Sequence, residues 1–289
     1  MILSTASPLL SPSGGVLLAS VAALLYAAAA APLSVFRRFS VVALVSAWLL
    51  HLVLLVVDIG GIGQPMPGTR LGFAPVLSMT VWLVIAVHTV ESRLVPLPSI
   101  RLMLGLAGAL AVLLTLAFPG ELRPMSSKLA PVHFALGVGS YALFGAAVVH
   151  ATLLDRAERS LRGGAAARLA ATGQAGTAGT AGTAGTADAA LGMPLLQLER
   201  LTYRFVEVGF VVLTATLLLG WWTTTSQAQW HWDHKTVFSL LAWAVFAALI
   251  VGRRWQGWRG RRATRWLYAG TALLLLAYVG SRFVLEVLL

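Results

Sequence analysis

The chain has no cysteine, and only 11% of its residues are charged. Without thiols it can form no disulfide, no thiolate nucleophile and no cysteine-ligated zinc or iron–sulfur site. A tightly bound metal must therefore rely on the six histidines, with carboxylate or methionine as lesser ligands. The sequence also lacks GxSxG, Walker and GxGxxG motifs, so nothing in it indicates a hydrolase, a kinase or a dinucleotide-binding enzyme.

Apolar residues make up 58% of the chain and the mean hydropathy is +0.83, which excludes an ordinary soluble domain. Runs of about 20 apolar residues have the length that crosses a bilayer. They cover residues 14–35, 39–58, 72–91, 101–118, 132–154, 205–223, 236–252 and 264–286. The sequence therefore predicts an all-α, polytopic membrane helix bundle of about eight transmembrane helices.

The placement of basic residues predicts the orientation of this bundle. Sixteen loop arginines fall on one side of the predicted spans and four basic residues on the other. The four are Arg70, Arg123, Lys128 and Lys235. Because cytoplasmic loops carry the excess of Lys and Arg, both termini are expected outside the cytoplasm. The formal net charge of +11 is thus explained by topology, and we expect membrane lipid rather than nucleic acid as a partner.

A low-complexity stretch, Gly-Thr-Ala with period three, lies at residues 173–187. Its small residues cannot bury a core, so it predicts a flexible linker. It falls within a cytoplasmic loop expected over residues 155–200, between helices five and six. We nevertheless expect residues 1–289 to form a single integral membrane domain, since neither side of the linker obviously buries its own polar residues.

Residues 220–259, the tryptophan segment, hold seven of the ten tryptophans and a polar interruption, Trp-His-Trp-Asp-His, at residues 230–234. Irregular backbone beside a membrane persists only where protein or water satisfies its polar groups, so an external binding surface between helices six and seven is predicted. An interfacial aromatic belt is the alternative, and it suits Trp221 and Trp222 best. A belt needs neither the acid nor the two imidazoles of residues 230–234.

The pattern Trp230-x-Trp232-Asp233-x-Lys235-Thr236, followed by Ser239-Leu240 and Trp243, resembles the tryptophan-rich "WWD" signature of the cytochrome c assembly proteins, the CcsA, CcmC and HemX relatives. Residues 257–263 and 277–280 resemble the end of CcsA, with the short YpjD-like branch most similar. The resemblance implies a multi-pass protein of the bacterial inner membrane that binds haem b non-covalently and presents it at the external face. It implies a cofactor site of Trp221, Trp222, Trp230, Trp232, Asp233 and Trp243 together with histidine ligands.

Four histidines lie in predicted spans, where ionisable groups are costly and usually functional. Helix rise places His51 and His133 in the outer half and His88 and His150 near the inner end. The resemblance implies that His133 ligates the haem iron, and its matching depth makes His51 a candidate partner. His88 and His150 form a possible second pair, although neutral histidines bonded to neighbouring helices explain them equally well.

Two further polar groups have competing interpretations. His231 and His234 flank Asp233 at a spacing compatible with a metal triad, but Asp233 also has the position of a helix cap. Arg282 and Glu286 are four residues apart and are expected to neutralise each other on one helix face, or to contact a propionate.

The family's second external histidine and the histidine near the inner end of its signature helix have no counterpart here: the chain reads Ser281-Arg282-Phe283 and Val251-Gly252-Arg253 at those places. The resemblance as a whole nevertheless implies a non-enzymatic haem-handling protein that works with other cytochrome c maturation or membrane proteins. One alternative is an accessory or regulatory protein that kept the fold and lost haem. Another is a small-solute or ion carrier that uses the intramembrane histidines and Glu207.

Overall fold

The computed structural model describes residues 12–31, 37–59, 69–91, 100–123, 129–172, 195–225 and 233–288. Within these ranges the chain forms eight long helices. They are α1 (Pro12–Ala30), α2 (Arg37–Ile59), α3 (Phe73–Glu91), α4 (Ile100–Ala117), α5 (Ala130–Thr172), α6 (Leu195–Thr225), α7 (His234–Gln256) and α8 (Gly260–Leu275). α8 continues through π-helical turns at Leu276–Gly280 and Val284–Leu288, with Ser281–Phe283 α-helical between them.

Seven of the helices in the described ranges are long and apolar enough to cross a membrane, and Gly14–Ala30 adds a shorter apolar helix. Each span follows an apolar run of the sequence, because a helix is the conformation that satisfies every backbone hydrogen bond within lipid. The prediction of an all-α membrane bundle of about eight helices is confirmed.

The ends of α5 and α6 differ from the predicted spans. α5 continues to Thr172 and α6 begins at Leu195, so much of the predicted loop over residues 155–200 is helical. An apolar run marks the part of a helix that lies in lipid, whereas the alanines, leucines and arginines beyond it are themselves strong helix formers. The Gly-Thr-Ala stretch at residues 173–187 lies outside the described residues.

Two short strands join the segments before α3 and α5. β1 (Thr69–Leu71) pairs antiparallel with β2 (Glu121–Arg123), and Leu71 lies opposite Glu121. A Cβ on Gly72 would lie 2.8 Å from Cα of Gly120, so the two chains approach closely just beyond this ribbon. Because β1 leads into α3 and β2 leads toward α5, both helices begin at the same end of the bundle, here called the ribbon end.

The buried side chains form two clusters. The first is built mainly from α1 to α4, and the second from α5 to α8. α5 contributes to both, with Ala142 and Leu154 in the first and Phe144 in the second. Phe144 stacks on Phe246 of α7 with ring centroids 3.8 Å apart. This helix therefore packs the second cluster against the first.

The glycines of α4 allow a close contact with α1. A Cβ on Gly105 would lie 2.8 Å from the Tyr26 carbonyl oxygen, and one on Gly108 would lie 2.8 Å from the Tyr26 ring. Small residues at such contacts are typical of packed membrane helices. Gly137 and Gly139 of α5 make no comparably close contact. A Cβ on Gly137 would lie 3.8 Å from the Thr216 side chain, which is an ordinary contact distance. A Cβ on Gly139 would meet no atom within 4 Å.

Candidate functional site

A cavity of about 880 Å³ lies among α5, α6, α7 and α8 near the ribbon end of the bundle. Its walls are mostly apolar, with Leu213, Leu240 and Leu274 among the lining side chains. The polar and aromatic lining groups are His133, Phe134, Ser140, Tyr141, Thr214, Thr216, Trp221, Asp233, Lys235, Thr236, Ser239, Trp243 and Tyr278. An apolar cavity of this size with a few polar groups is the usual form of a cofactor or ligand site. This His133 cavity is the candidate site.

His133 lies in the first turn of α5 and its side chain lines the cavity. Its Nδ1 atom is buried and has no hydrogen-bond partner among the described residues. An unsatisfied buried nitrogen costs about 1–3 kcal/mol, so its presence beside a cavity points to a ligand.

Gly220 of α6 makes room for the His133 ring. A Cβ at this position would lie 2.9 Å from Cε1 of His133. That distance is well inside ordinary carbon–carbon contact, about 3.5–4.0 Å. The glycine therefore lets the ring occupy its place against α6.

The tryptophans predicted for the site divide into two groups. Trp221 and Trp243 line the cavity, and Trp243 donates a hydrogen bond from Nε1 to Oγ1 of Thr214 at 3.0 Å. Trp222 is 72% exposed and is not among the lining residues, which agrees with a place in an interfacial belt. Trp230 and Trp232 lie outside the described residues, as does His231.

Asp233 caps α7 and also lines the cavity. Its Oδ1 accepts hydrogen bonds from the backbone N–H of Thr236 at 2.9 Å and from Oγ1 of Thr236 at 2.8 Å. Partial burial would raise the pKa of the Asp233 carboxyl, but these hydrogen bonds and the positive charge of Lys235 outweigh it and hold that pKa below its ordinary value. The predicted capping role is confirmed.

Replacing Asp233 by alanine should fray the start of α7, because N-cap changes of this kind cost about 0.5–2 kcal/mol. Hydrogen exchange at the Thr236 amide should be several-fold faster, while Asp233→Asn, which keeps the acceptor oxygen, should stay close to wild type. Since the folded-state pKa is lowered, the extra protection is complete above the ordinary carboxyl pKa and is lost as the pH falls through the folded-state value. Equal exchange in the alanine and asparagine variants would refute the cap.

α8 lines the cavity and also contacts α5. Its first π-helical turn, Leu276–Gly280, carries Ala277 and Tyr278 into the lining. Tyr141 of α5 donates a hydrogen bond to the Leu274 carbonyl oxygen at 2.6 Å, just before this turn. The Nζ atom of Lys235 lies 5.7 Å from the centre of the Tyr278 ring. π-Helical turns often occur at functional sites, but hydropathy gives no sign of one, so sequence reasoning missed Tyr141 and Tyr278 as lining residues.

The structure does not bring His51 to this cavity. His51 is 1% exposed, and both of its ring nitrogens are bonded: Nδ1 lies 3.1 Å from the Tyr26 hydroxyl and Nε2 lies 2.7 Å from Oγ of Ser78. It thus joins α1, α2 and α3 in the first core cluster. The predicted pairing with His133 used only the depth of each residue in the membrane. Depth does not indicate which helices face each other, so the sequence could not show that the two histidines lie apart.

His88 and His150 lie on neighbouring helices away from the cavity. Val84 of α3 packs on Gly145 of α5, and a Cβ on Gly145 would lie 2.9 Å from the Val84 side chain. Each histidine lies about one helical turn beyond this contact. They are 6% and 1% exposed. Nδ1 of His150 lies 2.8 Å from the Ala146 carbonyl oxygen, and its ring stacks on Phe205. These contacts give His150 a structural role.

The other polar candidates form no metal centre in the described part of the chain. No group of three or more His, Asp or Glu side chains there could hold a metal ion, and His234 is exposed at the first position of α7. The expected ion pair of Arg282 with Glu286 is wrong. Nη1 of Arg282 faces Oε2 of Glu121 at 3.9 Å, and Glu286 Oε1 is buried with no hydrogen-bond partner in these ranges. The Glu286 carboxylate lies beside Gly72 at the ribbon end, where an added Cβ would come within 3.0 Å of its Oε2.

Comparison with known proteins agrees with the resemblance predicted from the tryptophan segment. The chain is 37% identical over 95 residues to the inner membrane protein YpjD of Escherichia coli K12, which is 33% of this chain and 36% of that protein. It is 37% identical over 86 residues to the cytochrome c biogenesis protein CcsA of Prochlorococcus marinus MIT 9303, which is 29% of this chain and 27% of that protein. The matched stretches thus span about a third or less of these curated relatives. No solved structure matches the chain.

A family model described as cytochrome C assembly protein matches residues 10–289, nearly the whole sequence. The resemblance is confirmed, and the chain belongs to the cytochrome c assembly protein family.

Proposed function

We propose that this protein serves cytochrome c biogenesis as a haem-handling protein of the bacterial inner membrane, and that it binds haem b non-covalently in the His133 cavity. The observation that carries the proposal is His133, a lining residue of a mostly apolar cavity whose imidazole has a buried Nδ1 without a hydrogen-bond partner. Family membership supports the biogenesis role, and of the two relatives named above CcsA is described as a cytochrome c biogenesis protein and YpjD as an inner membrane protein.

The residues present fit a haem group. The cavity volume of about 880 Å³ lies within the range of roughly 300–1,000 Å³ that holds cofactors and drug-sized ligands. Bound haem would supply an iron that an imidazole nitrogen can ligate. His133 would hold that iron, and the room that Gly220 leaves beside its ring would let the imidazole keep its place against α6.

The remaining lining groups suit the rest of an amphipathic macrocycle. Lys235 provides a cation at the wall for a carboxylate, and Trp221 and Tyr278 provide aromatic surface. Leu213, Leu240 and Leu274 keep water from the apolar part. His133 is the single imidazole among the described lining residues, so these residues support one axial ligand from the protein and give no support to His51 as the second.

We infer that the cavity opens to the external side of the membrane and that both termini are external. The loop arginines support this orientation, because sixteen of the loop basic residues fall on the opposite side of the predicted spans. Delivery to an acceptor polypeptide on that side, in company with other maturation proteins, would then need no bond-making by this chain.

Reporter fusions test the orientation. An alkaline phosphatase fused after Leu289 should be active, since this reporter folds only outside the cytoplasm, whereas a fusion within residues 175–187 should be inactive. A cytoplasmic reporter such as a fluorescent protein should give the reverse pattern at the same two sites. Activity of phosphatase at the internal site and not at the terminus would overturn the external assignment of the cavity.

An accessory protein that kept the fold and lost haem is the second candidate. The observation that favours it is the lack of a second histidine in the described lining, together with the two family histidines absent from the sequence. The ion carrier is less well supported, because Glu207 is exposed over 46% of its side chain and lies 3.3 Å from Arg254 rather than in an internal path. Titration of the purified protein with haem distinguishes the first two candidates: saturable binding near one equivalent supports the proposal, and no saturable binding supports the accessory role.

A further inference from the structure

The turn between α7 and α8 carries a dense patch of exposed arginines. Five of them form what we call the arginine patch: Arg254, Arg259, Arg261, Arg262 and Arg265. All are exposed, and Arg254 keeps 67% of its side-chain surface. Beside them lies Trp255, which is 84% exposed, more than any other large apolar side chain among the described residues.

Four of the five patch arginines make no ion pair within the described ranges, although the Glu158 carboxylate of α5 lies beside the turn, with Oε1 3.3 Å from the place of a Cβ on Gly260. Within the described ranges, Arg254 is the single patch member with an ion pair, a contact to Glu207 at 3.3 Å. Arg262 stacks on the Trp258 ring at 4.2 Å, which leaves its charge uncompensated. The neighbouring Arg253 is different, since it is paired with Glu199 at 3.2 Å and lies over the Tyr203 ring. The first turn of α8 contains no acidic residue.

The arginine patch lies at the turn between two membrane-spanning helices. α7 and α8 both qualify as membrane spans, and residues 257–259 make the short turn that joins them. Such a turn lies at the bilayer surface, and an exposed tryptophan there sits at the level of the headgroups. The arginines are therefore held against phosphate groups rather than in bulk water.

We propose that the arginine patch is a binding site for the phosphate groups of anionic phospholipids, anchored by Trp255. Guanidinium groups bind phosphate oxygens through paired N–H donors, and a cluster of four to eight basic residues next to a span attracts anionic lipid. The ligand class is a phosphodiester carrying net negative charge, as in phosphatidylglycerol. The inference is independent of haem binding, because the patch and the His133 cavity share no residue.

Competition between spin-labelled phosphatidylglycerol and phosphatidylcholine on the full-length protein in vesicles measures this preference. The test variant replaces Arg259, Arg261 and Arg265 by glutamine. The matched control replaces Arg156, Arg200 and Arg204 by glutamine. These arginines are also exposed, so the control removes the same number of positive charges. We expect the preference for phosphatidylglycerol to fall by about tenfold or more in the test variant and by less than about twofold in the control.

Four outcomes decide the proposal. A loss confined to the test variant, with helical content and reporter topology unchanged, supports it, and a smaller loss in Trp255→Ala supports the anchor. Equal losses in both triple variants would mean that diffuse net charge, not the patch, attracts lipid. Displacement of the labelled lipid by excess inorganic phosphate would assign the patch to a soluble anion. Retention of the full preference in the test variant would refute the site outright.

Discussion

Replacing His133 by alanine should remove most of the haem that the protein retains through purification. The substitution takes away the single imidazole in the described lining of the cavity and leaves the iron position without a protein nitrogen. Haem that remains should be held by the apolar walls alone and should show a high-spin absorption spectrum. Added imidazole should partly restore both the amount bound and the spectrum, because it can occupy the space of the lost ring.

The matched control for this change is His234→Ala. His234 is exposed at the start of α7 and does not line the cavity, so its loss should leave haem content unchanged at equal protein level. If His133→Ala keeps the wild-type haem content and spectrum while loss of His231 and His234 together abolishes them, the iron ligand lies in the tryptophan segment and the assignment to His133 is wrong.

His51→Ala separates a ligand from a structural histidine. This change leaves the buried Tyr26 hydroxyl and Ser78 without their shared partner. An unmade buried hydrogen bond costs about 1–3 kcal/mol, so we expect lower thermal stability with an unchanged haem spectrum. A change in the spectrum at normal stability would restore His51 as a ligand.

Gly220→Ala should lower haem affinity by about tenfold, which corresponds to about 1.4 kcal/mol. The new Cβ would lie 2.9 Å from Cε1 of His133, so the ring must shift or turn and its Nδ1 no longer points where it did. Alanine favours a helix over glycine by about 1 kcal/mol, so the fold should not suffer from this change. Equilibrium titration with haem, read beside a thermal melt, measures the two effects separately.

Gly139→Ala is the control on the opposing helix. A Cβ at Gly139 would meet no atom within 4 Å, so this variant makes the same chemical change without moving the ring. Its haem affinity should equal that of the wild type. Equal affinity in Gly220→Ala as well would show that the position of the His133 ring does not govern binding.

The sequence predicts the fold of this protein well, since an apolar run in lipid has few alternatives to a helix. The site is predicted only in part. Motif resemblance and residue chemistry singled out His133 and Asp233, both of which line the cavity. Helix rise placed His51 at a similar depth, but depth does not fix which face of the bundle a side chain meets, and the structure bonds His51 to Tyr26 and Ser78.

The other differences between the predicted and the observed structure involve features that a pattern of apolar residues does not record. The π-helical turn Leu276–Gly280 carries Tyr278 into the lining of the cavity, and Arg282 faces Glu121 of the ribbon instead of Glu286. Neither arrangement follows from a pattern of apolar residues. The apolar runs also did not predict that α5 extends to Thr172 or that α6 begins at Leu195, because hydropathy indicates which residues lie in lipid and not how long a helix is.

The absorption spectrum of the wild-type protein, purified from cells supplied with haem precursor, tests the central claim most directly. If the cavity binds haem through His133, the protein should elute from gel filtration with close to one equivalent of haem and a Soret band typical of imidazole-ligated iron. Protein that is folded and helical, yet elutes without a Soret band and does not acquire one when haem is added, would contradict haem binding and leave the accessory role.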